Sequence, residues 1–369
     1  MKRFGVDTGG TFTDVVARDD SGALHVHKLL SSPADPSEAI ADGVKALLDP
    51  SGESFSLVHG TTVATNALLE RRGARALLFT TWGFEDLLEL ARQNRPDLYT
   101  FQVQRPAPLI LPEDCIGVRE RVRFDGRVER ALDDAEITRQ IEAVRARRDD
   151  IDAVAICFLH SYANPHNEQR MEAICREVMA ERGIEIPIYI SSHVRPVIRE
   201  NQRVNATTIE AYAADPVRKQ LHSVEDSAKN RGYRKQLTTM LSYGGLANIR
   251  HPRLHETLIS GPIGGMLGAH YIAQILGEKN VLAVDMGGTS YDFGLITNAT
   301  FNLNNEPEIA RFRLALPSIE LDSIRGGAGL YLSVDPITNR IVMGPEGAGA
   351  NPGPVCFDRG NRQPTVTDC

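Results

Sequence analysis

Asp285-Met286-Gly287-Gly288-Thr289-Ser290-Tyr291-Asp292 lies between an apolar run at residues 281–284 and the alternating apolar residues Phe293 and Leu295. This pattern predicts a strand, a tight Gly-Gly turn and a second strand. Glycines let the chain turn and leave the main-chain amides open to an anion, because no Cβ blocks the approach. The stretch therefore predicts a phosphate-binding hairpin, although an ordinary hairpin has the same pattern.

The same octet opens the chain as Asp7-Thr8-Gly9-Gly10-Thr11-Phe12-Thr13-Asp14, and both copies read Asp-x-Gly-Gly-Thr-x-x-Asp. Strand-like residues flank each copy. Because the two copies are separated by the length of a domain, the repeat predicts a duplicated domain rather than a solenoid. Two such hairpins facing each other could hold one polyphosphate from both sides.

The composition excludes several classes of protein. The 369 residues are enough for two or three domains, and 42% of them are hydrophobic. A net charge of −7 without a basic run argues against a nucleic-acid partner. Five cysteines without a C-x-x-C pair indicate a reducing compartment. No apolar run approaches the ~20 residues that span a membrane, so we expect a soluble, cytoplasmic protein.

The order of the remaining patterns is typical of an α/β fold. A third strand at 24–30 and a helix from about residue 37 give the opening of a ribonuclease-H-like domain. Further strands are predicted at 74–81, 152–160, 186–191 and 237–243, and further helices at 134–148 and 168–182.

Three other segments carry residues that could bind a substrate. His59 and Gly60 precede a Thr-rich helix start, where an anion would bind, although an N-capped helix with a core histidine has the same pattern. Residues 260–265 are predicted to be a Gly-rich loop before a helix, in which Gly264 and Gly265 form a second anion cradle or allow close helix packing. Arg92, Asn94 and Arg95 could bind a carboxylate or phosphate, or form structural salt bridges.

Taken together, these segments resemble the hydantoinase A / 5-oxoprolinase / acetone carboxylase family. The resemblance rests on six segments, which follow one another in the family's order: 5–14, 59–66, 92–99, 260–262, 285–290 and 351–354. It implies the actin/hexokinase/Hsp70 type of ATPase fold, in which two ribonuclease-H-like domains close on Mg-ATP. We therefore predict a first domain at 1–195 with an excursion near 105–133, a crossover region at 196–259, and the start of a second domain at 260–369.

The resemblance implies an ATP-dependent enzyme of one of two kinds. Residues 242–245, 253–256 and 260–265 look more like the acetone and acetophenone carboxylases, which activate a ketone and bicarbonate with ATP. The alternative is a cyclic amidase such as a hydantoinase or 5-oxoprolinase. The loops at 325–330 and 346–349 depart from the family pattern. Family members continue beyond the motif at 365–368, so the second domain is expected to be truncated or completed by a partner subunit.

Within this reading each candidate residue receives a role. Asp7 and Asp285 are predicted to hold Mg²⁺ or to orient water, and His59 to face the substrate or phosphate. The predicted phosphate contacts are the glycines and hydroxyl residues of the two turns, namely Gly9, Gly10, Thr11, Thr13, Gly287, Gly288 and Thr289. A third hypothesis is a nucleotide-binding module without catalysis, although no DNA-binding motif accompanies it.

Overall fold

The computed structural model describes residues 2–9, 12–32, 36–47, 55–94, 99, 102, 106–230, 233, 235–288, 290–349 and 351–369. The helices are α1 Pro36–Leu47, α2 Val63–Leu69, α3 Leu87–Leu90, α4 Asp134–Arg147, α5 His166–Ala180, α6 Ser191–Val194, α7 Glu200–Asn230 and α8 Ser260–Leu276. The strands up to residue 250 are β1 Lys2–Thr8, β2 Phe12–Arg18, β3 Leu24–Leu30, β4 Phe55–Thr61, β5 Ala76–Thr81, β6 Cys115–Val118, β7 Arg121–Val122, β8 Val128–Arg130, β9 Ala153–Cys157, β10 Ile188–Ile190, β11 Thr238–Met240 and β12 Leu246–Asn248. The later strands are β13 Val281–Met286, β14 Ser290–Thr297, β15 Thr300–Phe301, β16 Leu303–Asn304, β17 Glu308–Ile309, β18 Phe312–Arg313, β19 Ser318–Ile319, β20 Asp322–Arg325, β21 Leu330–Val334 and β22 Ile341–Gly347.

The first sheet has the strand order β12-β11-β4-β1-β2-β3. Strands β1, β2 and β3 are antiparallel neighbours, whereas β4 runs parallel to β1 and β11 runs parallel to β4. Alternation in β1 buries Phe4, Val6 and Thr8 on one face, and α1, α2 and α7 contribute to the same core. The predicted opening of strand, hairpin, strand and helix is confirmed.

The second sheet has the order β10-β9-β5-β6, and all of its strands are parallel. Every residue of β5 and β9 is buried, because helices cover both faces of such a sheet. Helix α7 packs against β9 and β10, and α5 contacts the same two strands. The strands and helices predicted at 74–81, 134–148, 152–160, 168–182 and 186–191 are confirmed, with ends that shift by a few residues.

Helix α7 is a central element of the fold. It packs against α1 and α2 of the first sheet as well as against β9, and its side chains from Asn201 to Ala214 are buried. Strands β11 and β12 then extend the first sheet. The segment predicted as a crossover thus adds two strands to the first sheet and packs a helix against the second. The division into domains remains a prediction. No helix in the described parts of the chain combines the length and apolar character needed to cross a membrane.

The second copy of the octet forms the hairpin β13–β14, to which β15 and β20 are added. Helix α8 covers part of this sheet by packing on β13 and β14. The sheet also exposes apolar side chains, since Leu282, Val284 and Leu295 are each more than half exposed. Beyond it, strands β21 and β22 form a separate ribbon that pairs with Thr365.

Candidate functional site

The two octets have the same local structure. In the first hairpin the Gly9 amide donates to the Phe12 carbonyl at 3.0 Å, and Asp7 lies opposite Asp14. In the second, the Gly287 amide donates to the Ser290 carbonyl at 2.9 Å, and Asp285 lies opposite Asp292. Each residue of the first set has its sequence equivalent in the second, so the predicted duplication extends to hydrogen bonds and strand register.

Helix α8 packs against both hairpins, and we call the region between their two turns the cleft. The helix packs against β1 and β4 on one side and against β13 and β14 on the other. At its start the Asp7 carboxyl lies against two glycines. A Cβ added to Gly261 would lie 2.8 Å from Asp7 Oδ1, and one added to Gly60 would lie 3.2 Å from the same atom. We call Asp7, Gly60 and Gly261 the Asp7 clamp, because a Cβ at Gly261 would collide with the carboxyl and a Cβ at Gly60 would crowd it.

Negative side chains outnumber positive ones among the charged groups that act on Asp7. Asp7 is open to solvent at the mouth of the cleft, yet protein surrounds its remaining sides. This burial raises the pKa of Asp7 to about 6, and the negative charges of Asp14 and Asp285 raise it further, whereas Lys28 opposes them. Lys28 itself is held 2.8 Å from Asp14. The Asp285 charge therefore acts on Asp7, and a cation bound between these carboxylates would relieve their repulsion.

The described residues place two interacting carboxylates at the turns, Asp7 and Asp285, which could hold a cation. They contain no group of three or more His, Cys, Asp and Glu side chains placed to hold a metal. Mg²⁺ commonly keeps several waters and binds one or two carboxylates together with substrate phosphates. The two glycines of the Asp7 clamp let the carboxyl pack directly against the backbone of β4 and α8, which fixes its position.

The start of α8 is strained and tightly held. Ile259, which precedes the helix, has φ 53° and ψ 22°, a left-handed conformation that is rare for a β-branched residue. Its amide donates to Thr65 Oγ1 at 3.0 Å. Next to it, Ser260 Oγ accepts from the Thr61 amide at 3.0 Å and donates to the Thr61 carbonyl at 2.8 Å. The segments at 59–66 and 260–262 are therefore two halves of one local structure.

The second turn has a different support. The amides of Ala328 and Gly329 each donate at 2.8 Å, to the carbonyls of Gly287 and Gly288 respectively. The Thr367 amide and hydroxyl both donate to the Ala328 carbonyl. A Cβ on Gly329 would lie 2.9 Å from the Gly288 carbonyl oxygen. The variant loop at 325–330 thus lies directly against the second turn.

Several predicted contacts belong to this cleft. Gly9, Gly287 and Gly288 lie at the two turns, and Asp7 and Asp285 lie one residue before the ends of the strands that lead into them. Gly10, Thr11 and Thr289 lie outside the described residues.

Thr13 and His59 are instead buried. The Thr13 hydroxyl lies 3.0 Å from Ser31 Oγ, which donates to the Gly9 carbonyl at 2.7 Å, so in this structure it supports the turn. His59 is fully buried, and within the described residues neither of its ring nitrogens makes a hydrogen bond of normal geometry. Burial lowers the pKa of His59 to about 4, and the Val6 backbone only partly opposes this effect. The imidazole is therefore a neutral core group at pH 7 and does not face the cleft.

The prediction of a Gly-rich loop before α8 is wrong. Residues 260–265 form the first turns of the helix. Gly264 faces Met240, whose sulfur would lie 3.5 Å from an added Cβ, and Gly265 has no neighbour within 4 Å. Pro262 suits a first helical turn, and the burial of Ile263 and Met266 outweighs the low helix propensity of glycine. A loop-type anion cradle is therefore absent from this segment.

The sequence patterns indicated Gly60 as a turn residue and Gly261 as part of a Gly-rich loop and of a family segment. Their contact with Asp7 was missed, as was the pairing of Thr65 with Ile259. The only available signal was that one Gly lies near the end of β4 and another near the start of α8, and neither position indicates the other.

Two family models match the chain. The hydantoinase/oxoprolinase N-terminal region matches residues 3–179, and the hydantoinase/oxoprolinase model matches residues 203–369. The chain belongs to the hydantoinase/oxoprolinase family. This confirms the resemblance on which the fold was predicted.

Individual relatives agree with this family. The chain is 33% identical to the acetone carboxylase beta subunit of Xanthobacter autotrophicus, an alignment that covers 99% of this chain and 53% of that subunit. Among solved structures, nucleotide-free acetone carboxylase superposes with a TM-score of 0.89 at 31% identity, over 100% of this chain and 54% of that one. The ATP-dependent caprolactamase of Pseudomonas jessenii superposes with a TM-score of 0.81 at 31% identity, over 99% and 54%. The α/β fold is thereby confirmed, and the chain spans about half the length of these relatives.

Proposed function

We propose that this family member binds Mg-ATP between its two matching hairpins and uses it to phosphorylate a carbonyl substrate. One observation carries the proposal: hairpins of the same register meet at one cleft, where the charge of Asp285 acts on Asp7. Phosphoryl transfer depends mainly on positioning and on neutralising charge, and two facing turns supply both.

Each group at the cleft has a proposed task. Backbone amides of Gly9, Gly10, Gly287 and Gly288 would bind phosphate oxygens, with the hydroxyls of Thr11 and Thr289 beside them. Asp7 and Asp285 would hold Mg²⁺ through its water shell. When bound, Mg²⁺ would neutralise the charge of the phosphates. The Asp7 clamp would fix the first carboxyl, because the glycines allow the helix start and β4 to close around it.

For the substrate we favour a ketone together with bicarbonate. Bicarbonate, or the enol oxygen of a ketone, would accept the γ-phosphoryl group and ADP would leave. The likeness to acetone carboxylase supports this choice. The likeness to an ATP-dependent caprolactamase supports the alternative, a cyclic amidase in which an amide oxygen accepts the phosphoryl group.

A partner subunit is part of the proposal, since the acetone carboxylase relative is named as a beta subunit. A nucleotide-binding module without catalysis is the third possibility. It predicts ATP binding without substrate-dependent turnover.

The decisive experiment measures ATP hydrolysis by the protein purified with its partner subunits, against a panel of substrates. Stimulation by acetone or acetophenone with bicarbonate would support the carboxylase. Stimulation by hydantoins, 5-oxoproline or caprolactam would support the amidase. ATP binding without stimulation would favour the module, and failure to bind ATP at all would contradict the proposal. Asp7→Asn is the control, because it removes the charge and keeps the shape.

A further inference from the structure

Glu306 lies among three donor side chains that the proposed function does not use. Gln202 Nε2 donates to Glu306 Oε2 at 3.0 Å. Arg92 Nη1 lies 3.8 Å from the same oxygen, and Arg199 Nε lies 3.5 Å from Oε1. Gln202 is 1% exposed, whereas the two guanidinium groups and Glu306 are partly open to solvent. We call Arg92, Arg199 and Gln202 the Glu306 cradle.

The two guanidinium groups are poorly satisfied by Glu306. Each carries five N–H donors, and a hydrogen bond to a carboxylate is normally 2.7–3.2 Å long. The two arginine contacts, at 3.8 Å and 3.5 Å, exceed that length, and within the described residues neither guanidinium has another ion-pair or hydrogen-bond partner. Two positive charges thus share one carboxylate at long range, and most of their donors remain available.

Backbone strain is concentrated at the same place. Arg92 is flanked by Ala91, with φ 49° and ψ −128°, and by Gln93, with φ 56°. Arg199 itself has φ 73°. Left-handed conformations of non-glycine residues cost on the order of 1–3 kcal/mol each, and they persist where the surrounding structure imposes them, often at ligand-binding sites. Strain at Arg199 and at both neighbours of Arg92 therefore points to a positioned pair rather than to two solvated surface cations.

We propose that the Glu306 cradle is a binding site for a small carboxylate or bicarbonate, and that Glu306 occupies it until the ligand displaces it. A planar CO₂ group matches the fork of a guanidinium, and Gln202 supplies a neutral third donor. Glu306 already places such a group there, so the chain contains its own competitor. The inference goes beyond ATP chemistry and does not rest on it, because a chain that bound no nucleotide could still hold the anion.

The test removes the competitor. Glu306→Gln keeps the size of the side chain and abolishes its charge, so acetate and bicarbonate should bind at least about tenfold more tightly than to wild type. Isothermal titration calorimetry on the full chain measures both affinities, and comparison of the two anions identifies the source of the CO₂ group. Arg199→Ala added to Glu306→Gln should abolish the gain. Equal affinity in wild type and Glu306→Gln, or a gain that survives Arg199→Ala, would overturn the proposal.

Further measurements test whether the gain in affinity is specific to this site and to carboxylates. Glu142→Gln breaks a comparable exposed ion pair, in which Arg182 Nη2 lies 2.8 Å from Glu142, and it should leave the affinities unchanged. Phosphate also fits a guanidinium fork, so it is the competing ligand, and tighter binding of phosphate than of acetate to Glu306→Gln would refute the assignment to carboxylates. Acetate should also protect Arg92 and Arg199 in Glu306→Gln from an arginine-specific reagent, read by mass spectrometry. This readout requires no activity, so its failure is separate from failure of the proposed ATP chemistry.

Discussion

Replacing Gly261 by alanine tests the Asp7 clamp directly. The new methyl group would lie 2.8 Å from Asp7 Oδ1 and 3.5 Å from Asp7 Cγ, whereas ordinary contacts begin near 3.4 Å. The carboxyl must therefore move away by about 0.6 Å, which exceeds the ~0.5 Å within which reacting groups have to be held. We expect substrate-dependent ATP hydrolysis to fall on the order of ten- to a hundredfold, or about 1.4–2.7 kcal/mol in the barrier.

The loss of ATP hydrolysis in Gly261→Ala should not be accompanied by an equal loss of thermal stability. Alanine is favoured over glycine in helices by up to about 1 kcal/mol, which offsets part of the clash. Gly268→Ala is the matched control, because Gly268 lies in the same helix with no neighbour within 4 Å. It should raise the thermal midpoint and leave ATP hydrolysis unchanged. The assay compares kcat, KM for ATP and thermal unfolding for both variants and wild type.

Two results would refute the reasoning about the clamp. Wild-type ATP hydrolysis in Gly261→Ala would mean that the position of Asp7 does not limit the reaction. An equal loss of hydrolysis in Gly268→Ala would mean that the helix, rather than the contact with Asp7, is responsible.

Three further substitutions change the stability of the fold, two of them in a way that depends on pH. The pKa of Asp7 is raised in the folded chain, so between pH 3.8 and about 6 the folded chain binds more protons than the unfolded chain. Thermal unfolding at a series of pH values should therefore show that Asp7→Asn is more stable than wild type above pH 6 and loses that advantage by about pH 4. His59 has the reverse sign: the unfolded chain binds more protons between pH 6.5 and about 4, so wild type should lose stability as the pH falls through this range, and His59→Phe should lose less. Thr65→Val leaves the Ile259 amide without its acceptor and should cost about 1–2 kcal/mol in urea unfolding, whereas full stability would show that this bond contributes nothing.

The sequence patterns identified most of the fold because they were local. Alternation in β1 and β2 and continuous apolar runs in β5 and β9 each follow from which strand faces are buried. The duplicated octet was equally readable, since a repeat is visible without any knowledge of tertiary contacts.

The errors arose where packing overrode local preference. Four glycines in residues 260–268 favour a loop by propensity, yet Ile263 and Met266 bury one face and make the segment helical. His59 lies near the end of a strand and shortly before a helix, a place where ligands often bind. Alternation in β4 nevertheless turns its side chain into the core with Leu57 and Thr61. Both outcomes depend on which face of an element a neighbour covers, and a local pattern does not carry that information.

The two hairpins also show what duplication can and cannot specify. Their turns share hydrogen bonds and register, but their supports differ: Gly60 and Gly261 enclose the first carboxyl, whereas Ala328 and Gly329 bond to the second turn. The shared part follows from the repeated sequence, and the unshared part is built from contacts that occur once. A nucleotide is chemically different at its two ends, so two identical supports could not both complement it. The difference between the supports is therefore what we expect of a cleft that holds one polyphosphate in a single orientation.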